Sequence, residues 1–170
     1  MGGRGSSFKN NSKLTENERG ALIKYFSSDS YKINEKLYLN NQLSSNDKQF
    51  VKNLDSALNK MPFVDNKKVV RDLIFPFKWQ REEYIKNLNV GSIIKSLSYW
   101  SATTDDFYHE IPDIRFIIKH SNKARDMSKI ERKNEHEVIY ERGARFKIVS
   151  KNTRQMTNSH DIIIVEMEEL

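Results

Sequence analysis

The stretch "KNEHEVIYERGARFKIVS", residues 133–150, contains two short apolar runs on either side of an Arg-Gly step. The runs are rich in β-branched and aromatic residues, and Gly143 supplies the freedom that a turn requires. The stretch therefore predicts a strand, a turn and a second strand, paired as a hairpin. Glu135 and Glu137 stand at the start of the first strand, two residues apart, so an extended chain points both carboxylates to one side. They repel each other and add nothing to a core, which calls for a functional explanation.

β-Prone segments lie on both sides of this stretch. Residues 67–77 and 113–121 each predict a strand, residues 90–104 predict two short strands, and residues 159–170 predict a last strand. A short helical pattern, "QREEYIKNLN", separates the first strand from the next two.

The N-terminal part of the chain has helical periodicity instead. Thr15, with Glu18 three residues later, predicts a capping box at the start of a first helix. Residues 30–42 predict a second helix, and residues 44–61 predict a third, capped by Ser45 or Asn46. Helices come first and strands follow, so we expect an α+β fold with a mostly antiparallel sheet.

Length and composition favour one folded unit. The 170 residues, 37% of them hydrophobic, suffice for a single domain over residues 14–170, preceded by a disordered Gly/Ser/Asn-rich arm over residues 1–13. We expect no signal peptide and no transmembrane segment, because the longest apolar run near the end, "IIIV", is far too short.

Charge and glycine content exclude several classes of function. The net charge of +6 is spread along the chain rather than clustered with aromatic residues, so we expect no nucleic acid as a partner. The lack of a long apolar run gives the same expectation for a membrane. Three of the six glycines lie in the first five residues, which leaves no Walker loop and no GxGxxG turn. The four histidines are scattered, the chain has no cysteine, and we expect no metal.

Polar residues interrupt the apolar strands at three places. Arg71 lies within "VVRDLIF", Ser101 and Thr103 lie within "LSYWSATT", and Glu135 and Glu137 open the stretch quoted above. Each alone is typical of a half-exposed strand. Together, an arginine, two hydroxyls and two carboxylates are groups that bind one another, and their order and spacing favour a site.

These motifs resemble those of the mono-ADP-ribosyltransferases with an arginine–serine–glutamate signature, a family that includes clostridial-type actin-modifying toxins and phage enzymes. "SYKINEKL" is similar to the N-terminal "Y..IN..L" signature, "VVRDLIF" to the first-motif strand, and "SYWSATT" to the STS segment. "NEHEVIYERGARFKI" is similar to the catalytic ExE segment, and the resemblance covers residues 14–150. It implies a split β-sandwich, with two mainly antiparallel sheets around an NAD cleft and helices beside them.

The resemblance also implies roles. Glu137 matches the catalytic glutamate that holds the ribose 2′-hydroxyl, and Glu135 matches the acid that engages an acceptor arginine. Arg71 matches the arginine that pairs with the NAD phosphates. The remaining implied contacts are Ser101, which holds Glu137, and the NAD-binding positions Thr103, Tyr31 and Asn34.

Some positions depart from the family pattern. Asp72 stands where glycine is common after the first arginine, a position whose backbone holds the nicotinamide amide of NAD. The backbone of Asp72 can still do so, whereas its carboxylate disfavours NAD if it faces the site. Ala102 replaces the middle residue of STS. The loop that follows is short, and Phe107 or Tyr108 is the candidate for stacking on nicotinamide, with Phe107 favoured.

The expected function is transfer of ADP-ribose from NAD to an arginine of a target protein. Two alternatives stay open: NAD glycohydrolysis with water as acceptor, and an inactive member that serves as a binding module, for which Asp72 is the best argument. We expect a monomer that acts in a host or target-cell cytoplasm, phage-encoded or delivered as an effector. The basic segment 123–134 predicts docking of an acidic target surface.

Overall fold

The computed structural model describes residues 13–105, 111–130, 136–157 and 159–170 of the chain. Except for Lys13, the arm expected at residues 1–13 lies outside these ranges. None of the helices in the described ranges is long and apolar enough to cross a membrane.

The helices occupy the N-terminal part of the chain, as predicted, and the short helix predicted between the strands also forms. In order they are α1 (Glu16–Lys24), a π-helical turn (Tyr25–Asp29), α2 (Ser30–Tyr38), α3 (Ser45–Lys60) and α4 (Lys78–Lys86). The extended backbone of Ser27, at ψ −175°, breaks the helical path between α1 and α2. This break turns α2 and brings its side chains to the cleft described below.

Capping boxes begin α1 and α3. At α1 the Thr15 hydroxyl accepts a hydrogen bond from the Glu18 N–H at 3.1 Å, and the Glu18 carboxylate accepts one from the Thr15 N–H. The predicted box is therefore confirmed. At α3 the prediction of Ser45 or Asn46 was wrong, because Ser44 is the cap. Asp47 stands three residues after Ser44 and completes its box.

The described strands form a ladder in the order β2-β7-β8-β4-β1-β3-β6-β5. All neighbours are antiparallel except β4 and β8, which are parallel. The strands are β1 (Lys67–Leu73), β2 (Ile93–Lys95), β3 (Trp100–Thr103), β4 (Ile114–Ser121), β5 (Arg125–Asp126), β6 (Glu137–Tyr140), β7 (Arg145–Arg154) and β8 (Ile162–Glu169). The α+β class with a mostly antiparallel sheet is confirmed.

The expected split into two separate sheets is not confirmed, because hydrogen bonds connect all eight described strands. The link between β1 and β3 is narrow, with the one register pair Val70–Thr103. Side chains from strands far apart in this order nevertheless touch: the rings of Trp100 in β3 and Phe146 in β7 have centroids 4.9 Å apart. The ladder therefore bends back on itself around a core.

The predicted hairpin of residues 133–150 was wrong. Strand β6 pairs with β3 and β5, whereas β7 pairs with β2 and β8. The turn between them exists, with Gly143 at φ +86°. Its backbone is bound by the segment before β3: the Gly143 N–H donates to the Ser96 carbonyl at 2.7 Å, and the Ser96 N–H donates to the Ala144 carbonyl at 2.8 Å. These long-range hydrogen bonds hold the segment that connects β6 to β7, two strands that lie far apart in the ladder.

Two apolar clusters cover the two faces of β3 and β6. Ile139 and Tyr99 pack with the helices, against side chains such as Leu54, whereas Val138 and Tyr140 pack into the core inside the bent sheet. Because strand side chains alternate, Glu137 lies on the same face of β6 as Ile139, towards the helices.

Candidate active site

A cleft of about 960 Å³ lies between the N-terminal helices and the sheet. Volumes of this size are typical of small-molecule and cofactor sites. Its walls combine helix residues with residues of three strands, β1, β3 and β6. The lining residues are Tyr25, Phe26, Ser27, Ser30, Tyr31, Asn34, Val70, Arg71, Asp72, Leu73, Ile74, Ser101, Ala102, Thr103 and Glu137.

The register of β3 and β6 places three predicted site residues on one face. Thr103 is the direct partner of Glu137, and Ser101 is the partner of Ile139. Ser101 is therefore the diagonal neighbour of Glu137, a distance that a long side chain spans. Ala102, between the two hydroxyl residues, is buried in the core inside the bent sheet. A carboxylate and two hydroxyls thus converge on the cleft.

Arg71 contributes a cation from β1. One Nη donates to the Ser101 carbonyl at 2.8 Å, and the guanidinium lies 5.0 Å from the centroid of the Trp100 ring. Burial lowers the pKa of Arg71, but guanidinium remains charged in proteins. No carboxylate of the described residues lies within ion-pair distance of Arg71. A half-buried cation whose Nε has no hydrogen-bond partner among the described residues suits an anionic ligand.

Asp72 is neutralised by its cross-strand neighbour. Arg115 of β4 is its register partner and donates from Nε at 2.9 Å and from an Nη at 3.2 Å to the two carboxylate oxygens. The pair is mostly buried. The guanidinium of Arg115 therefore offsets the negative charge of Asp72, which was predicted to disfavour an anionic ligand.

Tyr25 is a further cleft residue, which helical spacing alone would assign to the apolar face of the first helix. It is nearly fully buried, and its hydroxyl lies 2.9 Å from the Ser101 Oγ. The Asn34 amide donates to the same hydroxyl at 3.1 Å. Burial raises the pKa of the Tyr25 phenol, while the hydrogen bonds and the nearby Arg71 oppose that rise. The signal available in the sequence was a tyrosine shortly before the "Y..IN..L" motif.

The remaining predicted residues are distributed as follows. Tyr31 lies at the rim of the cleft and is 81% exposed. Asn34 lines the cleft, and its amide is engaged by protein groups on both sides. The Thr103 hydroxyl accepts from the Asp105 N–H at 3.0 Å. Glu135, Phe107 and Tyr108 lie outside the described residues.

In the basic segment 123–134, which is predicted to dock a target, only some of the basic side chains are exposed. Lys123 and Lys129 are exposed, whereas Arg125 is buried, where it donates to the Met61 carbonyl and to Glu141. Residues 131–134 lie outside the described ranges. Across the part of the chain that the structure describes, no three histidine or acidic side chains converge as metal ligands.

Comparison with known proteins identifies a family. The model described as ADP-ribosyltransferase exoenzyme matches residues 3–170. No match was found among curated proteins.

Several solved toxin structures share this architecture. C3larvin, an ADP-ribosyltransferase toxin from Paenibacillus larvae, is 20% identical with a TM-score of 0.73, over 100% of this chain and 95% of that chain. The C3 exoenzyme of Clostridium limosum is 20% identical with a TM-score of 0.73, over 96% of this chain and 89% of that chain. The enzymatic component C2-I of the Clostridium botulinum C2 toxin is 19% identical with a TM-score of 0.71, over 97% of this chain and 46% of that chain. At these identities the similarity is one of fold.

Proposed function

Because the chain belongs to the ADP-ribosyltransferase exoenzyme family, we propose that it cleaves NAD at the nicotinamide–ribose bond and transfers the ADP-ribose to an arginine side chain of a target protein. The observation that carries the proposal is the convergence of Arg71, Ser101 and Glu137 on one cleft from three different strands. These are the residues that the motif resemblance assigns to NAD cleavage.

Glu137 is proposed to drive the cleavage. The bond between the ribose C1′ and the nicotinamide nitrogen breaks, and nicotinamide leaves with the bonding electrons as a neutral ring. Positive charge then develops on the ribose, and a fixed carboxylate stabilises such a charge, as it does in glycoside hydrolysis. A hydrogen bond from the ribose 2′-hydroxyl to the same carboxylate orients the sugar.

Arg71 is proposed to bind the diphosphate of NAD. Arg71 is half-buried, lines the cleft and has no acidic partner among the described residues, which matches an anionic ligand such as a diphosphate. The ion pair of Asp72 with Arg115 counts against the alternative of an inactive binding module. The negative charge of Asp72, next to the proposed diphosphate site, is paired with Arg115.

Glu135 is proposed to prepare the acceptor. A guanidinium is a poor nucleophile while protonated, because its pKa lies above about 12. A carboxylate that orients the acceptor arginine and takes its proton allows the nitrogen to attack C1′. The glutamate two residues before Glu137 is the position that the family resemblance links to arginine acceptors. Docking of an acidic target surface onto Lys123 and Lys129 stays a prediction.

The test uses labelled NAD with a host-cell lysate and separate variants of the two acids. We expect Glu137→Gln to abolish nicotinamide release, and Glu135→Gln to lose protein labelling while it keeps nicotinamide release. Mass spectrometry of the labelled protein that finds the ADP-ribose on an arginine side chain supports an arginine acceptor. If the unaltered protein releases nicotinamide but labels nothing in the lysate, water is the acceptor and the proposed transfer is wrong.

A further inference from the structure

A chain of hydrogen bonds runs from the backbone of the segment before β3 through two helix side chains and back to Ser101. The Tyr99 N–H donates to Asn34 Oδ1 at 3.0 Å, and Asn34 Nδ2 donates to the Tyr25 hydroxyl at 3.1 Å. The Tyr25 hydroxyl lies 2.9 Å from Ser101 Oγ. The π-helical turn and α2 therefore hold one of the two hydroxyls nearest to Glu137.

The direction of this chain follows from its first bond. A backbone N–H can only donate, so the Asn34 atom that it contacts is the amide oxygen, and the amide nitrogen faces Tyr25. The Tyr25 oxygen thus accepts a hydrogen bond, and its own proton remains to be donated. Among the hydrogen bonds of the described residues, Ser101 Oγ is the acceptor within reach of that proton.

Ser101 is then left with a proton to give on the side away from Tyr25. Ser101 and Glu137 are diagonal neighbours on the same face of β3 and β6, and both line the cleft. The Glu137 charge also acts on the Tyr25 phenol, which indicates that the carboxylate lies near this chain of groups. A serine hydroxyl that accepts from tyrosine is poised to donate to a carboxylate.

We propose that Tyr25 is a positioning residue of the NAD-cleaving site, because its hydroxyl donates to Ser101 and so fixes the Ser101 hydroxyl as a donor to Glu137. This inference rests on the proposed NAD cleavage and extends it to a residue of the N-terminal helical segment. Asn34 is part of the same hydrogen-bond chain, because it orients the Tyr25 hydroxyl. Its amide oxygen and nitrogen bind the Tyr99 N–H and the Tyr25 hydroxyl.

Tyr25→Phe is the informative substitution. The ring keeps its edge contacts with Phe26 and Tyr99, whose centroids lie 6.1 and 5.7 Å away, so the packing of the helices is preserved. We expect the kcat for nicotinamide release to fall about tenfold, the effect of one hydrogen bond felt in the transition state. We expect the KM for NAD to stay within about twofold, because the lost hydroxyl acts on Glu137 rather than on NAD.

Asn34→Asp is a second variant that does not remove the tyrosine. The new carboxylate still accepts from the Tyr99 N–H but cannot donate to Tyr25, so the phenol turns its proton away from Ser101. We expect a similar loss of kcat. Lys32→Gln is the control, since Lys32 lies on the same helix as Asn34, is exposed and lines neither the cleft nor the adjoining pocket that Asn34 and Arg71 share; its kinetics should not change.

The decisive comparison is a double-mutant cycle with Ser101→Ala, with nicotinamide release and thermal unfolding measured for each variant. If Tyr25 acts through Ser101, Tyr25→Phe lowers kcat in the unaltered protein and has little further effect in the Ser101→Ala background. Equal losses in both backgrounds, or an unchanged kcat in both Tyr25→Phe and Asn34→Asp, overturn the inference. A lack of nicotinamide release by the unaltered protein instead overturns the proposed function and this inference with it.

Discussion

Asp72 brings a negative charge to a cleft that is proposed to bind the diphosphate of NAD, and Arg115 offsets that charge at 2.9 Å. Two neighbouring strands set this pair, because Asp72 and Arg115 are register partners. The neutral pair explains how the cleft accepts aspartate where the family pattern often has glycine. At the scale of one residue, the cross-strand partner decides whether a charged residue that departs from a motif changes the net charge of the cleft.

Arg115→Gln should therefore weaken NAD binding without touching the catalytic carboxylate. The unpaired Asp72 then repels the diphosphate, and we expect the KM for NAD to rise about tenfold, or about 1.4 kcal/mol. The double variant Asp72→Asn/Arg115→Gln should recover most of that loss. The measurement is the NAD dependence of nicotinamide release. Lys119→Gln, on the same strand but exposed, is the control; a KM that stays raised in the double variant would contradict the explanation.

At the scale of elements, Glu18 joins α1 to α3. Its carboxylate accepts from Lys60 at 2.8 Å and from the Ser56 hydroxyl at 3.0 Å, in addition to its part in the capping box. Burial acts to raise the pKa of Glu18, but the bonds from Lys60, Ser56 and Thr15 outweigh it and lower that pKa below the usual value. The ionised carboxylate is thus favoured in the folded protein.

Glu18→Gln should destabilise the protein in a pH-dependent manner. A lowered folded pKa stabilises the fold above the unfolded pKa of about 4.3, and that contribution disappears as the pH falls through the lower folded value. We expect a loss of about 1 to 2 kcal/mol at pH 7 that shrinks below about pH 4. Urea unfolding across this range tests it. Glu16→Gln, exposed in the same helical turn, should show little change at any pH; a pH-independent loss in Glu18→Gln would count against the ionic link.

At the scale of the whole molecule, Glu169 closes the bent sheet. Its carboxylate in β8 accepts from the Tyr140 hydroxyl of β6 at 2.6 Å and from the Ser121 hydroxyl of β4, together with the backbone N–H groups of Asn122 and Lys123. Strands β8 and β6 are separated by three others in the ladder. Burial, with the nearby carboxylate, raises the pKa of the Tyr140 phenol, so the hydroxyl stays a donor.

Glu169→Ala should lower the stability of the entire fold. It leaves two buried hydroxyls with only each other, and we expect a loss of about 2 to 4 kcal/mol and a Tm lower by roughly 10 °C. Calorimetry measures both quantities. Glu168→Ala changes the exposed neighbour on the same strand and should shift the Tm by no more than about 2 °C. Equal Tm shifts in Glu169→Ala and Glu168→Ala would show that the hydrogen bonds of Glu169 contribute little to stability.

Much of this molecule follows from local pattern. The Thr15 capping box, the helices before Pro62 and the runs that became β1, β4 and β8 depend on residues close together in the chain, so periodicity and capping chemistry predict them. The order and spacing of Arg71, Ser101 and Glu137 likewise predict a site from the sequence alone. Pairing partners do not follow in this way, and the turn at Gly143 was assigned to a hairpin that does not form.

Strand pairing and contacts between distant segments depend on three-dimensional packing. The separation of β6 from β7, the offset of Asp72 by Arg115 and the contact of Tyr25 with Ser101 each join groups far apart in sequence. Tyr25 has the same helical spacing whether its hydroxyl is a bystander or a donor, so no local pattern distinguishes the two. Local sequence determines which elements form because short-range contacts govern them; their partners depend on which distant surfaces bury each other, and that is a property of the folded chain as a whole.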